Sequence, residues 1–176
     1  NNIGGTFIQI SPASSNCINV MEIRQSDKAT SELLDGYVSE RSELAVKIQS
    51  LHIFFSLLVP DMTHEEKQLL DEAMVICYQE KGITHDNQSL FDPTKPGGYR
   101  KMPILGDLHE VLLRKEECKR LANILNRLVN GSAASFNQQT NVDLNNKYVV
   151  LDISELSGDL LIGMFVALDY VWSRTK

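Results

Sequence analysis

His52, His64, His85 and His109, together with Cys17, Cys77 and Cys118, are the residues whose types best suit metal or nucleophilic chemistry. A zinc site draws His and Cys ligands at short, fixed spacings. None occurs here: the histidines are scattered, His64 falls in the first turn of a helix, and His85 falls in a loop. The cysteines are odd in number, widely spaced and lack a C-x-x-C, which reads as buried thiols in a reducing compartment rather than a disulfide framework. No G-x-x-x-x-G-K-[ST], no G-x-G-x-x-G after a strand, no G-x-S-x-G and no H-E-x-x-H is present, so phosphate cradles, nucleophile elbows and zinc helices of those kinds are not expected. Asp152 closes a strand-like run, where open α/β sheets place ligand-contacting groups. With Glu155 three residues on, it reads better as the cap of a following helix. Asp169 is expected to face solvent or a neighbouring domain. No catalytic, cofactor-binding or metal-binding residue is assigned.

The remaining candidates are cationic. Arg114, Lys115, Lys119 and Arg120 cluster with Glu116 and Glu117 interleaved, and Glu116 and Arg120 have the favourable i,i+4 spacing. A solvated, internally paired helix face is the expectation, with a phosphate-binding patch as the alternative. Tyr99-Arg100-Lys101 follows Gly97-Gly98, so an aromatic and two cations sit beside a hinge. Tyr99, Arg100, Lys101, Arg114 and Lys115 are therefore the candidate contacts for a partner or nucleic acid.

Positioning these residues falls to a chain of 176 residues, enough for one domain or for a domain with a large insertion. At this size roughly 70% of the unfolded chain's surface can be buried. A hydrophobic content of 43% and a charged content of 23% are those of a soluble globular protein. The net charge of −6 argues against a stand-alone nucleic-acid binder and leaves only local basic patches. No apolar run approaches the ~20 residues needed to span a bilayer. The most apolar stretch, 53–59, reads as the buried end of a helix. Residues 1–5 lack a Met or signal peptide and read as a chain joined midway, a piece of something longer.

Two strand-like segments, 6–10 and 148–151, lie far apart, and each alone would leave its ladder groups unpaired. They are expected to be neighbours in one sheet. A helical period over 156–172 follows the second. Residues 11–16 are turn chemistry, 18–23 alternates as a short strand or an extended loop, and 25–36 is a polar connector. A helix is predicted over 39–59 with Leu44, Ile48, Leu51, Phe55 and Leu58 on one face, stopped by Pro60. Thr63-His64-Glu65-Glu66 has capping-box spacing and opens a helix carrying Leu69, Leu70, Ala73, Ile76 and Cys77, with Gly82 at a left-handed C-cap. Residues 83–103 form a long loop without a period. One long helix is predicted over 106–129, with Leu108, Leu112, Leu121, Leu125 and Leu128 in a single stripe. Residues 132–146 are small and polar, and within them the amide-rich run 135–143 is expected to turn the chain while Asn and Thr side chains satisfy backbone groups. Three helices so joined would pack as a small bundle.

Several stretches together resemble one family. Gly4-Gly5-Thr6-Phe7-Ile8-Gln9-Ile10-Ser11-Pro12 and Cys17-Ile18-Asn19-Val20-Met21-Glu22-Ile23 resemble the segment after the nucleotide-binding helix in the large ATPases of conjugative type IV secretion systems, the TraC/TrbE/CagE-like proteins. There the second element usually reads Ile-Asn-Pro-Met; Val20 replaces the proline here. Residues 78–84 (Tyr-Gln-Glu-Lys-Gly-Ile-Thr), 102–108 (Met-Pro-Ile-Leu-Gly-Asp-Leu) and 136–144 (Phe-Asn-Gln-Gln-Thr-Asn-Val-Asp-Leu) are similar to the family's middle region. Residues 149–174 resemble the strand and helix leading up to its Walker B strand. The order of these stretches carries the resemblance.

The resemblance implies a mainly α chain: a helical bundle insertion flanked by a few strands belonging to a RecA-like α/β ATPase domain, lying between the Walker A and Walker B motifs. Residues 1–24 and 147–176 would belong to the RecA-like part and 25–146 to the insertion. Neither Walker motif is present, so the family's catalytic residues have no position here, and the chain alone is expected to be inactive. ATP and Mg are implied for the full-length protein, which would hydrolyse ATP at the cytoplasmic face of the membrane to drive transfer of DNA or protein. Implied partners are other type IV secretion components, the rest of the chain's own ATPase domain, DNA and further copies of the same protein. The alternative is a self-standing helical adaptor module.

Overall fold

The computed structural model describes residues 6–9, 17–24, 41–131, 134–141, 149–152 and 165. The expectations for 1–5, 11–16, 25–36 and Asp169 lie outside the described residues, as does the helix over 156–172 except for Phe165. Phe165 is helical and half-buried, its ring centroid 5.9 Å from that of Phe54.

Strands β1, Thr6–Gln9, and β2, Val149–Asp152, pair in parallel, with Thr6 opposite Val149 and Gln9 opposite Asp152. Thr-Phe-Ile and Val-Val-Leu are β-branched and apolar residues that suit a pleated surface. Everything helical from Glu43 to Phe136 lies between them in the chain, and the described part is mainly α.

Helix α1, Glu43–Leu58, starts where Ser42 accepts a hydrogen bond from the Ala45 amide at 3.1 Å, and Pro60 prevents its extension. Leu44, Ile48, Leu51, Phe54 and Phe55 bury its inner face. The stretch 53–59 is not wholly buried, however: Ile53 is 57% exposed and Leu57 40%. Nearly two helical turns cannot all face one core.

Helix α2, His64–Gln79, carries the reciprocal box. The Thr63 amide donates to Glu66 Oε1 and the Glu66 amide to Thr63 Oγ1, both at 3.1 Å. Leu70, Ala73, Met74, Cys77 and Tyr78 are buried, while Leu69 and Ile76 pack half-buried at the margin. The helix closes in a Schellman arrangement. Ile83 N donates to Tyr78 O at 3.0 Å and Gly82 N to Gln79 O at 2.9 Å, with Gly82 at φ +82°.

The loop from Ile83 to Pro103 holds more order than its lack of period suggested. A 3-10 turn, Asn87–Leu90, is capped by Asp86, and Phe91 and Tyr99 form an antiparallel bridge with stacked rings 5.1 Å apart. Short Asp, Ser and Thr side chains hold it by local bonds, among them Thr94 N to Asp92 Oδ1 at 2.8 Å.

The helix predicted over 106–129 is two helices. Helix α3, Leu105–Leu112, ends in a turn, a 3-10 segment spans Glu116–Cys118, and α4, Lys119–Val129, follows. The leucine spacing explains the break. Leu112 to Leu121 is nine residues, about two and a half turns at 3.6 residues per turn, so an unbroken helix would point the two leucine sets to opposite sides. The break lets Leu105, Leu108 and Leu112 share a core with Leu121, Leu125 and Leu128, all at most 1% exposed. Four helices, among the described residues, thus form one core with Ile18, Val20, Met21 and Ile23.

Candidate functional site: a hydrogen-bonded clamp

The segment 17–24 follows β1 and alternates apolar and polar residues, yet it is no strand. Asn19 folds it into an Asx-type turn: its Oδ1 accepts from Met21 N at 3.1 Å and its carbonyl from Glu22 N at 3.1 Å. Consequently Cys17, Ile18, Asn19, Val20, Met21 and Ile23 are all buried. At 2% exposure, the Asn19 amide must find partners within the protein. Its Nδ2 donates to Pro103 O at 2.9 Å and to Gln139 Oε1 at 3.3 Å, so both donors and the acceptor are used.

The strap 137–141 supplies the other side. It is anchored by buried Phe136 in a 3-10 turn, Ala134–Phe136. Thr140 Oγ1 accepts from Asn19 N at 2.9 Å and donates to Glu22 Oε2 at 2.5 Å. Cys17 N donates to Asn141 Oδ1 at 2.7 Å, and Asn141 N donates back to Cys17 O at 3.1 Å. Gln139 Nε2 reaches Met102 O at 2.7 Å, and the buried Tyr78 hydroxyl donates to Met21 O at 2.5 Å. The amide-rich stretch does satisfy backbone groups, but those of segments far away in the chain.

Asn137 has a distinct task. Helix α3 is preceded by Ile104, whose side chain cannot cap it; Asp107 Oδ2 returns only to Ile104 N, at 2.9 Å. Asn137 Oδ1 instead accepts from Gly106 N at 2.7 Å, capping α3 from outside. A Cβ on Gly106 would stand 3.0 Å from the Asn137 amide, so glycine allows this approach.

Among the described residues, the three cysteines are not set up as nucleophiles. Burial pushes the Cys17 thiol up to about 11, and its Sγ donates to the Gln138 carbonyl at 3.5 Å. Burial, then the negative charges of Asp107 and Glu80, push Cys77 to about 12, and burial raises Cys118. Neutral thiols of this kind are poor attackers and poor ligands. The three are free and buried. His52 Nε2 lies 2.9 Å from Asp71 Oδ1, joining α1 to α2, and His85 Nδ1 lies 2.7 Å from Ser42 Oγ. Among the described residues no group of three His, Cys, Asp or Glu is placed to hold a metal ion, and no helix is long and apolar enough to cross a membrane.

The sequence-selected cations meet acids of α2 and the link before it. Arg114 binds Glu80 with two bonds of 2.9 and 2.8 Å, and Lys115 lies 3.3 Å from Glu72. Arg120 does not pair with Glu116; it binds Glu66 at 2.7 Å and Asp61 at 2.6 Å. The 3-10 segment at 116–118 removes the continuous helix that the i,i+4 spacing presumed. Lys119 lies 3.9 Å from Glu116. The side-chain bond to Arg114 comes first in holding Glu80 below the usual carboxylate range. For Glu66, burial pushes upward, but bonds from Thr63 and Arg120 outweigh it and leave the carboxyl lowered. Arg100 Nε donates to Ser89 O at 2.9 Å and its guanidinium covers Gly82, so Arg100 and Arg114 both meet the carboxyl end of α2, where helix-dipole electrostatics favour cations. Tyr99 is 42% exposed on its stack with Phe91, and Lys101 is exposed.

The residues that sequence reasoning passed over are Asn19 and Tyr78. Their signal was an amide inside an apolar alternation and a tyrosine on a buried helix face, both polar groups that burial obliges to find partners. Of the stretches that carried the family resemblance, 17–23, 78–84, 102–108 and the described part of 136–144, 136–141, meet in this network.

No protein-family model and no curated protein matches the chain. Among solved structures, the fold is similar to that of VirB4 of Thermoanaerobacter pseudethanolicus, with a TM-score of 0.78 and 28% sequence identity over 97% of this chain. The chain spans 62% of the length of that VirB4.

Proposed function

We propose that the chain is the region between the Walker A and Walker B motifs of a type IV secretion ATPase. In this reading β1 and β2 belong to the RecA-like sheet, and the bundle is an insertion that relays nucleotide-driven motion or docks neighbouring secretion components. The carrying observation is the parallel pairing of β1 with β2, strands separated in the chain by the whole helical block. Parallel strands require a crossover connection and occur in sheets covered on both faces, as in α/β motor domains. The likeness to VirB4 supports the same reading.

The whole protein would bind ATP and Mg, assemble with other secretion components and with copies of itself at the inner face of the membrane, and energise transfer of DNA or protein. Contact with nucleic acid, within this reading, falls to Tyr99 and Lys101 rather than to Arg114 and Lys115, whose charges already face Glu80 and Glu72.

Two measurements test the proposal. Reading the encoding gene upstream of Asn1 is expected to reveal a G-x-x-x-x-G-K-[ST] motif; a start codon with no such motif contradicts the proposal and selects a self-standing adaptor. Calorimetric titration of the isolated chain with ATP is expected to show neither tight binding nor turnover, and robust hydrolysis would overturn the assignment.

A further inference from the structure

Resting on the motor-domain reading, we infer that the Asn19-centred clamp is the joint through which the sheet moves the bundle, and that Asn19, Thr140 and Asn141 are its positioning residues. The chain passes from sheet to bundle after β1 and returns before β2. Seven residues, 10–16, separate β1 from Cys17, and seven, 142–148, separate Asn141 from β2. Eight Cα–Cα steps on either side reach at most about 29 Å, which bounds the distance from each strand to the tie.

At that tie the two crossings are bonded to each other. Cys17 and Asn141 exchange two hydrogen bonds, and Thr140 bridges Asn19 N to the Glu22 carboxylate. One crossing cannot shift against the other without breaking this set. The tied pair is fixed in turn to the bundle at three places: Tyr78 on α2, the carbonyls of Met102 and Pro103, and the Gly106 amide in the first turn of α3. A displacement of either crossing, at Cys17 or at Asn141, therefore reaches the start of α3 through described bonds. From there the ion pairs of Arg114 and Lys115 carry it to α2.

The network is also poorly suited to stretching. Asn19 is buried with its amide fully used, so a partial opening would strand Pro103 O and Met21 N without partners or water. The joint is thus closed or released, with little between, which suits a rigid coupling rather than a spring.

The test uses the full-length protein with every cysteine except Cys17 replaced by alanine. The variants are Thr140→Val, which keeps the side-chain shape, and Asn141→Ala. Closed, the clamp hides Cys17, whose thiol is buried against Gln138 O. Each variant is expected to raise the rate of Cys17 alkylation by iodoacetamide about tenfold or more, because local opening no longer breaks the full set of bonds. ATP hydrolysis should stay within about twofold of the parent while substrate transfer falls by about tenfold, each tenfold being roughly 1.4 kcal/mol of lost coupling. Three results overturn the inference: alkylation that does not accelerate, alkylation that accelerates while transfer is unchanged, or hydrolysis that falls in step with transfer. A parent protein that hydrolyses no ATP refutes the motor reading itself, and the parent control reveals this separately.

Discussion

Replacing Asn19 with alanine is the sharpest probe of how this chain is held together. The side chain makes three bonds: Nδ2 to Pro103 O at 2.9 Å, Nδ2 to Gln139 Oε1 at 3.3 Å, and Oδ1 from Met21 N at 3.1 Å. Gln139 is exposed and can turn to water, so its loss is small. Pro103 and Met21 are buried, and an unsatisfied buried group costs about 1–3 kcal/mol, giving about 2–6 kcal/mol for the pair. That is a large share of the ~5–15 kcal/mol that holds a typical domain together. Urea unfolding followed by far-UV circular dichroism reads this as a lower midpoint at constant slope, by about 2 M for a mid-range loss and a slope near 2 kcal/mol/M. Gln139→Ala is the companion variant: it removes the Asn19 bond from the solvent side and also the donor to the buried Met102 carbonyl, and should cost about 1–3 kcal/mol. Asn19→Asp keeps the Met21 bond but turns an acceptor towards Pro103 O and Gln139 Oε1, so it should be at least as damaging as alanine. A loss below about 1 kcal/mol for Asn19→Ala would refute the reasoning.

Thr63→Ala removes one side of the reciprocal box that opens α2 and should destabilise by about 1 kcal/mol in the same assay. Gly82→Ala should cost about 1 kcal/mol or more because the residue sits at φ +82°, while the covering Arg100 can shift away. Glu66 has a lowered carboxyl pKa, so its contribution is present above the unfolded value of about 4.3 and disappears as pH falls through the folded value. Stability measured from neutral to acid pH should drop in that window, and Arg120→Ala should shrink the drop by removing a partner of Glu66. Binding of single-stranded DNA to the full-length protein should weaken in Tyr99→Ala and Lys101→Ala and stay unchanged in Arg114→Ala, with an affinity that falls as salt rises because phosphate contacts release counterions. An affinity indifferent to salt would contradict that contact.

Local chemistry was legible wherever a residue acts on its own neighbours. Thr63 and Glu66 announce a helix start because each satisfies the other's backbone within three residues, and Gly82 announces an end because few other residues tolerate that φ. Pro60 stops α1 for an equally local reason. The helix break at 113–118 was harder. Both leucine sets have helical spacing, and only the phase between Leu112 and Leu121 shows that one helix cannot serve both. The same break took Arg120 from Glu116 to Glu66 and Asp61, so an ion pair assumed from spacing failed when the helix carrying it did.

The clamp lay beyond such reading. Composition and turn chemistry made 135–143 a stretch whose amides satisfy backbone groups, and that much follows from the residue types alone. Which groups they satisfy was decided by tertiary structure, since Asn141 meets Cys17, 124 residues away, and Asn137 caps a helix through Gly106, 31 residues earlier. Sequence alone determined the stop of α1, both ends of α2 and the polar demand of buried amides, because these arise from short-range sterics and desolvation. Partner choice was left to the fold, because a hydrogen bond depends on distance in space and is indifferent to separation along the chain.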